Sequence, residues 1–204
     1  MADSTTDLYT RLLRELTKID YVKPGEFPNI DLYMDQVTTF MNTHLSDSKI
    51  KSDDKILTKT MINNYAKNNL LPPPVKKKYS KEHVVVMIFI YYFKTILSIK
   101  DIETILTQIT EKYFDTGSDV DVASIYEEVC DTAKSQIQNL KDEVREAYET
   151  SQNTFKDMEG LSDSDREYLQ LFSLISSLSF DVYAKKALIE RIIDELPEPI
   201  HTKK

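Results

Sequence analysis

Two groups of lysine and asparagine residues in the middle of the chain could recognise a nucleic acid. The first group lies along residues 59–67 and comprises Lys59, Thr60, Asn63, Asn64 and Lys67. The second group, Lys76, Lys77 and Lys78, follows three consecutive prolines closely. Lysine favours phosphate and guanine, and an asparagine amide can bond adenine through N6 and N7 together. These residue types could therefore recognise a nucleic acid through its phosphates and base edges.

The charge distribution also favours a polyanionic partner, although the net charge of the whole chain is −8. Residues 55–100 contain nine lysines and one acid, Glu82, whereas the segments on either side are acidic. The field near a surface matters more for binding than the total charge does. The alternative to a binding surface is a lysine face that is only solvated. For the three consecutive lysines the alternative is a solubilising loop that has no partner.

Asn63 and Asn64 also have a structural alternative, in which they cap a helix or form hydrogen bonds inside the domain. No arginine occurs between Arg14 and Arg145. Because the planar guanidinium is the usual bidentate reader of guanine, strong recognition of guanine is not expected.

Residue types that would support catalysis or metal binding are scarce. The chain has three histidines, one cysteine (Cys130) and three glycines. The sequence shows no Ser/His/Asp pattern, no glycine-rich nucleotide loop and no spacing typical of a metal site. We therefore expect no enzymatic activity, no metal and no cofactor. We interpret Cys130 as a small core residue, with a redox sensor as the alternative.

Helical periodicity dominates the elements that must position these residues, so the sequence predicts an all-α fold. The predicted helices cover about residues 5–19, 31–45, 57–69 and 81–96, one that starts after Ser98, and about 121–157, 164–179 and 181–195. Asn69 can adopt the left-handed conformation that ends a helix, and the prolines beyond it prevent continuation.

The apolar run VVVMIFIYYF, residues 84–93, could be a buried strand or a buried helix by periodicity alone. Ser80 is a good N-cap, and Ser98 with Asp101 forms a capping-box pattern for the next helix, so the context favours a helix. The predicted core contains Tyr65, Leu70, Ile88, Phe89, Ile102 and Ile105.

Residues 57–106 resemble the DNA-binding half of MerR-type regulators in an ordered series of features. These are Tyr65, the Asn69-Leu70-Leu71-Pro72 turn, Lys76 to Lys78, Tyr79-Ser80, Glu82, and Leu97-Ser98 with Ile102. The resemblance implies a winged helix-turn-helix that binds double-stranded DNA, with a recognition helix at about 58–69 and a basic wing at about 74–79. The chain departs from the MerR pattern at Thr60 and Asn63, where arginine is usual, and at Asn64, where tyrosine is usual.

A closer resemblance is to the bacterial domain-of-unknown-function family numbered eighteen thirty-six. It rests on the Met-Ile-Asn-Asn-Tyr core and the Pro-Pro-Pro-x-Lys-Lys-Lys-Tyr wing. This family brings no established activity with it.

These observations predict an all-α protein with an N-terminal helix and linker (1–28), a MerR-like winged helix-turn-helix (29–112) and a helical dimerisation or effector region (119–196). We expect a cytoplasmic transcriptional regulator without a membrane segment. The alternative is a non-catalytic protein-interaction module that retains the winged-helix fold.

A narrow apolar stripe along residues 121–157 predicts a homodimer seam, or else a surface that the later helices cover in the same chain. The effector, if there is one, is unknown. Its pocket could be lined by a group of aromatic residues, although such residues more often form the core of a helical bundle: Tyr148, Phe155, Tyr168, Phe172, Phe180 and Tyr183.

Overall fold

The structure is a computed structural model that describes residues 2–16, 21–49 and 53–197. Over these ranges the chain is mostly α-helical, as the sequence predicted. The helices are α1 (Ala2–Leu16), α2 (Met34–Leu45), α3 (Lys59–Lys67), α4 (Lys81–Phe93), α5 (Ile99–Tyr113), α6 (Val122–Gln152) and α7 (Asp163–Asp194), and the strands are β1 (Leu32–Tyr33) and β2 (Lys78–Tyr79). No described helix combines the length and the apolar character needed to cross a membrane.

The chain divides into two compact units. We call residues 19–131 with 190–204 the lysine-rich unit, and residues 1–18 with 132–189 the acidic helical unit. Each unit has its own buried side chains, and both groups of predicted DNA-binding residues lie in the lysine-rich unit.

The core of the lysine-rich unit is built around α4, in which every residue from His83 to Tyr91 is buried. The ambiguous run VVVMIFIYYF is therefore a helix surrounded by protein, as the flanking caps predicted. Five of the six predicted core residues are buried, and Ile105 is half-buried. Tyr126 secures the start of α6 to this core, because its hydroxyl donates a hydrogen bond to the Val22 carbonyl at 2.8 Å.

Two helix boundaries in this unit differ from the prediction. The helix expected from residue 31 begins at Met34, because Leu32 and Tyr33 form β1, which pairs with β2 in antiparallel register. The helix expected over 57–69 is shorter, and Thr58 caps it by accepting a hydrogen bond from the Met61 amide at 3.2 Å. Asn69 follows α3 with a φ of 59°, which confirms the predicted left-handed conformation.

The acidic helical unit brings together α1, the later part of α6 and most of α7. The ring of Tyr9 stacks on that of Tyr148 with centroids 4.7 Å apart, and the Gln170 side chain donates to the Gln152 carbonyl at 2.9 Å. The two helices expected at 164–179 and 181–195 are one continuous helix, so the predicted break at residue 180 is wrong.

Much of the apolar stripe on α6 faces its own chain. Leu140, Val144 and Ala147 line a groove together with Ser177 and Leu178 of α7. This is the intramolecular alternative to a dimer seam on α6. The six aromatic residues form neither the expected bundle core nor an enclosed pocket, because four of them are exposed to solvent: Tyr168, Phe172, Phe180 and Tyr183.

Candidate nucleic-acid interface

Helix α3 presents one polar face to solvent. Its five predicted DNA-binding residues, Lys59, Thr60, Asn63, Asn64 and Lys67, are all exposed. At about 100° per residue they occupy roughly 140° of the helix circumference. The other side of α3 is fixed in the core by Ile62 and Tyr65, both buried. The helix therefore has a single orientation, with its lysines and asparagines directed outward.

A lysine directly after α4 holds the segment that leads into α3. The ammonium group of Lys94 donates hydrogen bonds to the carbonyl oxygens of Lys55 at 3.0 Å and Ile56 at 2.6 Å. It also lies 5.2 Å from the centre of the Tyr91 ring. Burial lowers the pKa of Lys94. This role is not visible in the sequence, because nothing local connects Lys94 with residues almost forty positions earlier.

The amide side chains of Asn63 and Asn64 are exposed, and no hydrogen bond from the described part of the chain engages either one. The structural alternative required them to cap a helix or to bond inside the domain. Neither occurs among the described residues, so both amides are accessible to an external partner.

A tight turn carries the lysines that follow the prolines. The Val75 amide donates to the Lys78 carbonyl at 3.1 Å, and the Lys78 amide donates to the Val75 carbonyl at 2.9 Å. We call residues 75–78 the lysine hairpin. Its two central residues, Lys76 and Lys77, have φ values of 50° and 64°. Such a turn favours Asn-Gly, and a β-carbon in this conformation costs about 1 kcal/mol or more per residue.

The three lysines of the hairpin have different environments. Lys76 and Lys77 are exposed at its tip. Lys78 is half-buried in β2 opposite Tyr33, and its ammonium group lies 5.3 Å from the centre of the Tyr33 ring. The tip therefore offers two exposed charges, while Lys78 also supports the strand pair.

His83 connects the base of the hairpin to α4. Its Nδ1 accepts a hydrogen bond from the Ser80 amide at 3.0 Å, and its Nε2 lies 3.3 Å from the Pro73 carbonyl. An Nδ1 that accepts places the proton of a neutral ring on Nε2, which can then donate to Pro73. Burial lowers the pKa of His83, which favours this neutral form. Tyr79, only 3% exposed, packs against the His83 ring.

The start of α3 and the base of the lysine hairpin meet at the junction of β1 and α2. Lys59 forms an ion pair with Asp35, and Lys78 contacts Tyr33, only two residues before Asp35. Two residues span about 7 Å at most, so the two basic elements are attached to one short piece of backbone. Asp35 is an acidic residue within this surface that the sequence analysis did not identify.

The family of the chain follows from a model match that spans this surface. The model for the domain of unknown function DUF1836 matches residues 22–129. The chain belongs to the DUF1836 family. The DUF1836 segment contains all eight predicted DNA-binding residues and nearly coincides with residues 19–131 of the lysine-rich unit. Comparisons with curated proteins and with solved structures give no match.

Proposed function

We propose that this chain is a DNA-binding transcriptional regulator of the MerR-like type, with a winged helix-turn-helix in its DUF1836 segment. In this proposal α3 is the recognition helix and the lysine hairpin is the wing. The observation that carries it is the attachment of both to the β1–α2 junction, with the polar face of α3 and the hairpin tip exposed. A duplex could then contact both elements.

Backbone strain at the hairpin tip supports a role for its charges. Asparagine or glycine would relieve the positive φ of Lys76 and Lys77, yet both positions carry lysine. Strained residues tend to occur at functional sites, where the side chain rather than the backbone conformation decides the residue type. Lysine at the tip of a wing would contact phosphate and contribute affinity without sequence information.

The expected sequence preference follows from the side chains on α3. Asn63 and Asn64 can each form two hydrogen bonds with adenine in the major groove. Arginine, the strongest reader of guanine, is absent from residues 15–144. We therefore expect a preference for sites with adenine in the recognition positions, on a background of nonspecific binding through lysine.

Selection from a pool of random duplexes by the full chain tests this proposal. The proposal predicts that adenine is enriched at two or more positions and that Asn63→Ala removes enrichment at one of them. Asn139→Ala, the same change at an exposed position on α6 outside the lysine-rich unit, is the control and leaves the selected motif unchanged. Failure to select any duplex above background contradicts the proposal.

A protein-interaction role for the same unit is the second candidate, and an open groove favours it. This groove, of about 440 Å³, is formed around α2 and lined partly by Pro28, Leu32 and Phe40. An apolar groove beside a helix can accept an extended or helical peptide. Absent or salt-independent DNA binding would favour this candidate, because binding through lysine and phosphate must weaken as salt rises.

A further inference from the structure

One face of α7 is apolar and open to solvent. Tyr168, Phe172, Ile175, Val182 and Tyr183 are each more than half exposed. Together with Ser179 they fall within about 100° of the helix circumference, since successive residues are about 100° apart. We call these six residues the α7 stripe. No charged residue occurs on this face between Asp165 and Lys186.

The α7 stripe is not the side by which α7 packs in its own unit. Leu174, which is buried, and Ser177, which lines the groove with α6, lie about 130° and 170° around the helix from the middle of the stripe. The exposed area of the stripe is on the order of 700 Å², given that a large aromatic side chain carries about 150–250 Å². Monomeric proteins rarely expose an apolar patch of this size, and a standard interface buries about 800 Å² per partner.

We propose that the α7 stripe is the contact surface of a homodimer, in which α7 of a second copy lies antiparallel to the first. The two-fold axis passes between Ile175 and Ser176. This inference does not depend on DNA binding. It also differs from the dimer seam expected on α6. Part of the apolar surface of α6 lines a groove with α7 of the same chain.

The side-chain sizes along the stripe fit this register. With the axis between residues 175 and 176, Phe172 of each copy lies opposite Ser179 of the other, so a large ring meets a small side chain. Interfaces between helices need such alternation of large and small residues to fill the space between them. Tyr168 lies opposite Tyr183 at each end of the stripe, where the two aromatic rings can pack in an offset arrangement.

The charges at the ends of the stripe select the antiparallel direction. The same register places Asp165 of one copy beside Lys186 of the other. A parallel pair would instead set Asp165 against Asp165 and Lys186 against Lys186, and would place Phe172 against Phe172. Like charges across an interface disfavour a pairing, so a second copy of this chain in antiparallel direction is the occupant that fits.

The mass of the full chain in solution is the first test. We expect a dimer by light scattering during size exclusion, and a loss of affinity of about a hundredfold or more for Ile175→Glu, which brings two carboxylates together near the axis. The matched control is Leu188→Glu on the same helix, about 140° away around it. Leu188 is 59% exposed and Ile175 is 61% exposed, so neither change disturbs the monomer core.

Thermal melts of both variants establish that the fold is retained. A monomeric wild type at about 100 μM, well above the Kd of an ordinary specific dimer, overturns the proposal. A wild-type dimer that Ile175→Glu leaves intact overturns it as well, because the interface then lies elsewhere.

Disulfide cross-linking tests the direction of the pair. Cys130, the only cysteine, is first replaced by serine. A mixture of Tyr168→Cys and Tyr183→Cys chains is expected to form the mixed disulfide dimer on mild oxidation. Tyr168→Cys alone is expected not to cross-link, because two copies of residue 168 would be about 22 Å apart, too far for a disulfide. Efficient cross-linking of Tyr168→Cys alone would indicate a parallel pair and contradict the register.

Discussion

Asn63 differs from the lysines around it in the kind of contact it can make. Its exposed amide can recognise a base edge, whereas the ammonium groups mainly neutralise phosphate. We predict that Asn63→Ala reduces the discrimination between preferred and random duplexes by about 1–3 kcal/mol per lost base contact. Affinity for random duplex should hardly change. Competition binding followed by fluorescence anisotropy measures both quantities, and unchanged discrimination would remove Asn63 from the recognition surface.

Asp35 places a negative charge at the edge of the proposed DNA surface. It pairs with Lys59, and both side chains are largely exposed, so the pair contributes little to stability. We predict that Asp35→Asn strengthens DNA binding about two- to fivefold at low salt, since Lys59 is released for phosphate and a repulsive charge is lost. The control is Asp119→Asn, which makes the same change of charge in the exposed loop after α5. An equal gain in both variants would mean that only total charge matters.

Among the elements, the lysine hairpin combines an unfavourable backbone with two exposed charges. Replacing Lys76 by Asn and Lys77 by Gly supplies the preferred residues for this turn. We predict that this double variant unfolds at a higher urea concentration, by about 1 kcal/mol or more in free energy, yet binds DNA more weakly. The matched double variant Lys76→Ala with Lys77→Ala loses the same charges but keeps the strain. It should bind as weakly without gaining stability, and an equal gain in both variants would contradict the strain argument.

His83, the residue of α4 that contacts the base of the hairpin, makes the stability of the fold depend on pH. Because burial lowers the pKa of His83 in the folded state, the unfolded chain binds more protons between that pKa and the ordinary value of 6.5. The free energy of unfolding must therefore fall as pH falls through this window. The carboxylates of Asp31 and Asp115 oppose the shift without reversing it.

Urea unfolding at pH 7.5 and pH 5.5 tests this role of His83. We predict that the wild type loses more stability between the two pH values than His83→Gln does. Glutamine can still accept the hydrogen bond from the Ser80 amide but does not titrate. The same loss in both proteins would show that another group causes the dependence.

The elements that the sequence predicted well are those with local signals. Ser80 and Ser98 mark the starts of α4 and α5, and Asn69 follows the end of α3, because caps and left-handed residues act within a few positions. The sequence could not reveal β1, which exists only through pairing with β2 more than forty residues away. The contacts of Asp35 and Lys94 are likewise non-local. The break predicted in α7 does not occur, because residues 164–195 contain no proline or glycine that would end a helix.

At the scale of the whole molecule, the two units present different exposed chemistry. The lysine-rich unit presents exposed lysines and asparagines, while the acidic helical unit presents the aromatic α7 stripe. The exposure of the five candidate residues on α3 could be predicted, because exposed polar positions follow from helical periodicity. The sequence predicted a pocket or a core for the aromatic residues of the stripe. Its pattern of aromatic residues is the same whether or not other parts of the chain cover that face.

The affinity of the full chain for a duplex, measured by anisotropy between 50 and 200 mM salt, tests the central claim most directly. Each lysine–phosphate contact contributes about −0.9 to the slope of log K against log salt. We predict a clear negative slope, of about −4.5 if Lys59, Lys67, Lys76, Lys77 and Lys78 all contact phosphate. Replacing the last three by Ala should weaken binding to every duplex similarly and flatten the slope by up to about 3. Absent binding, or binding whose slope is zero in the wild type, would contradict a role in DNA recognition.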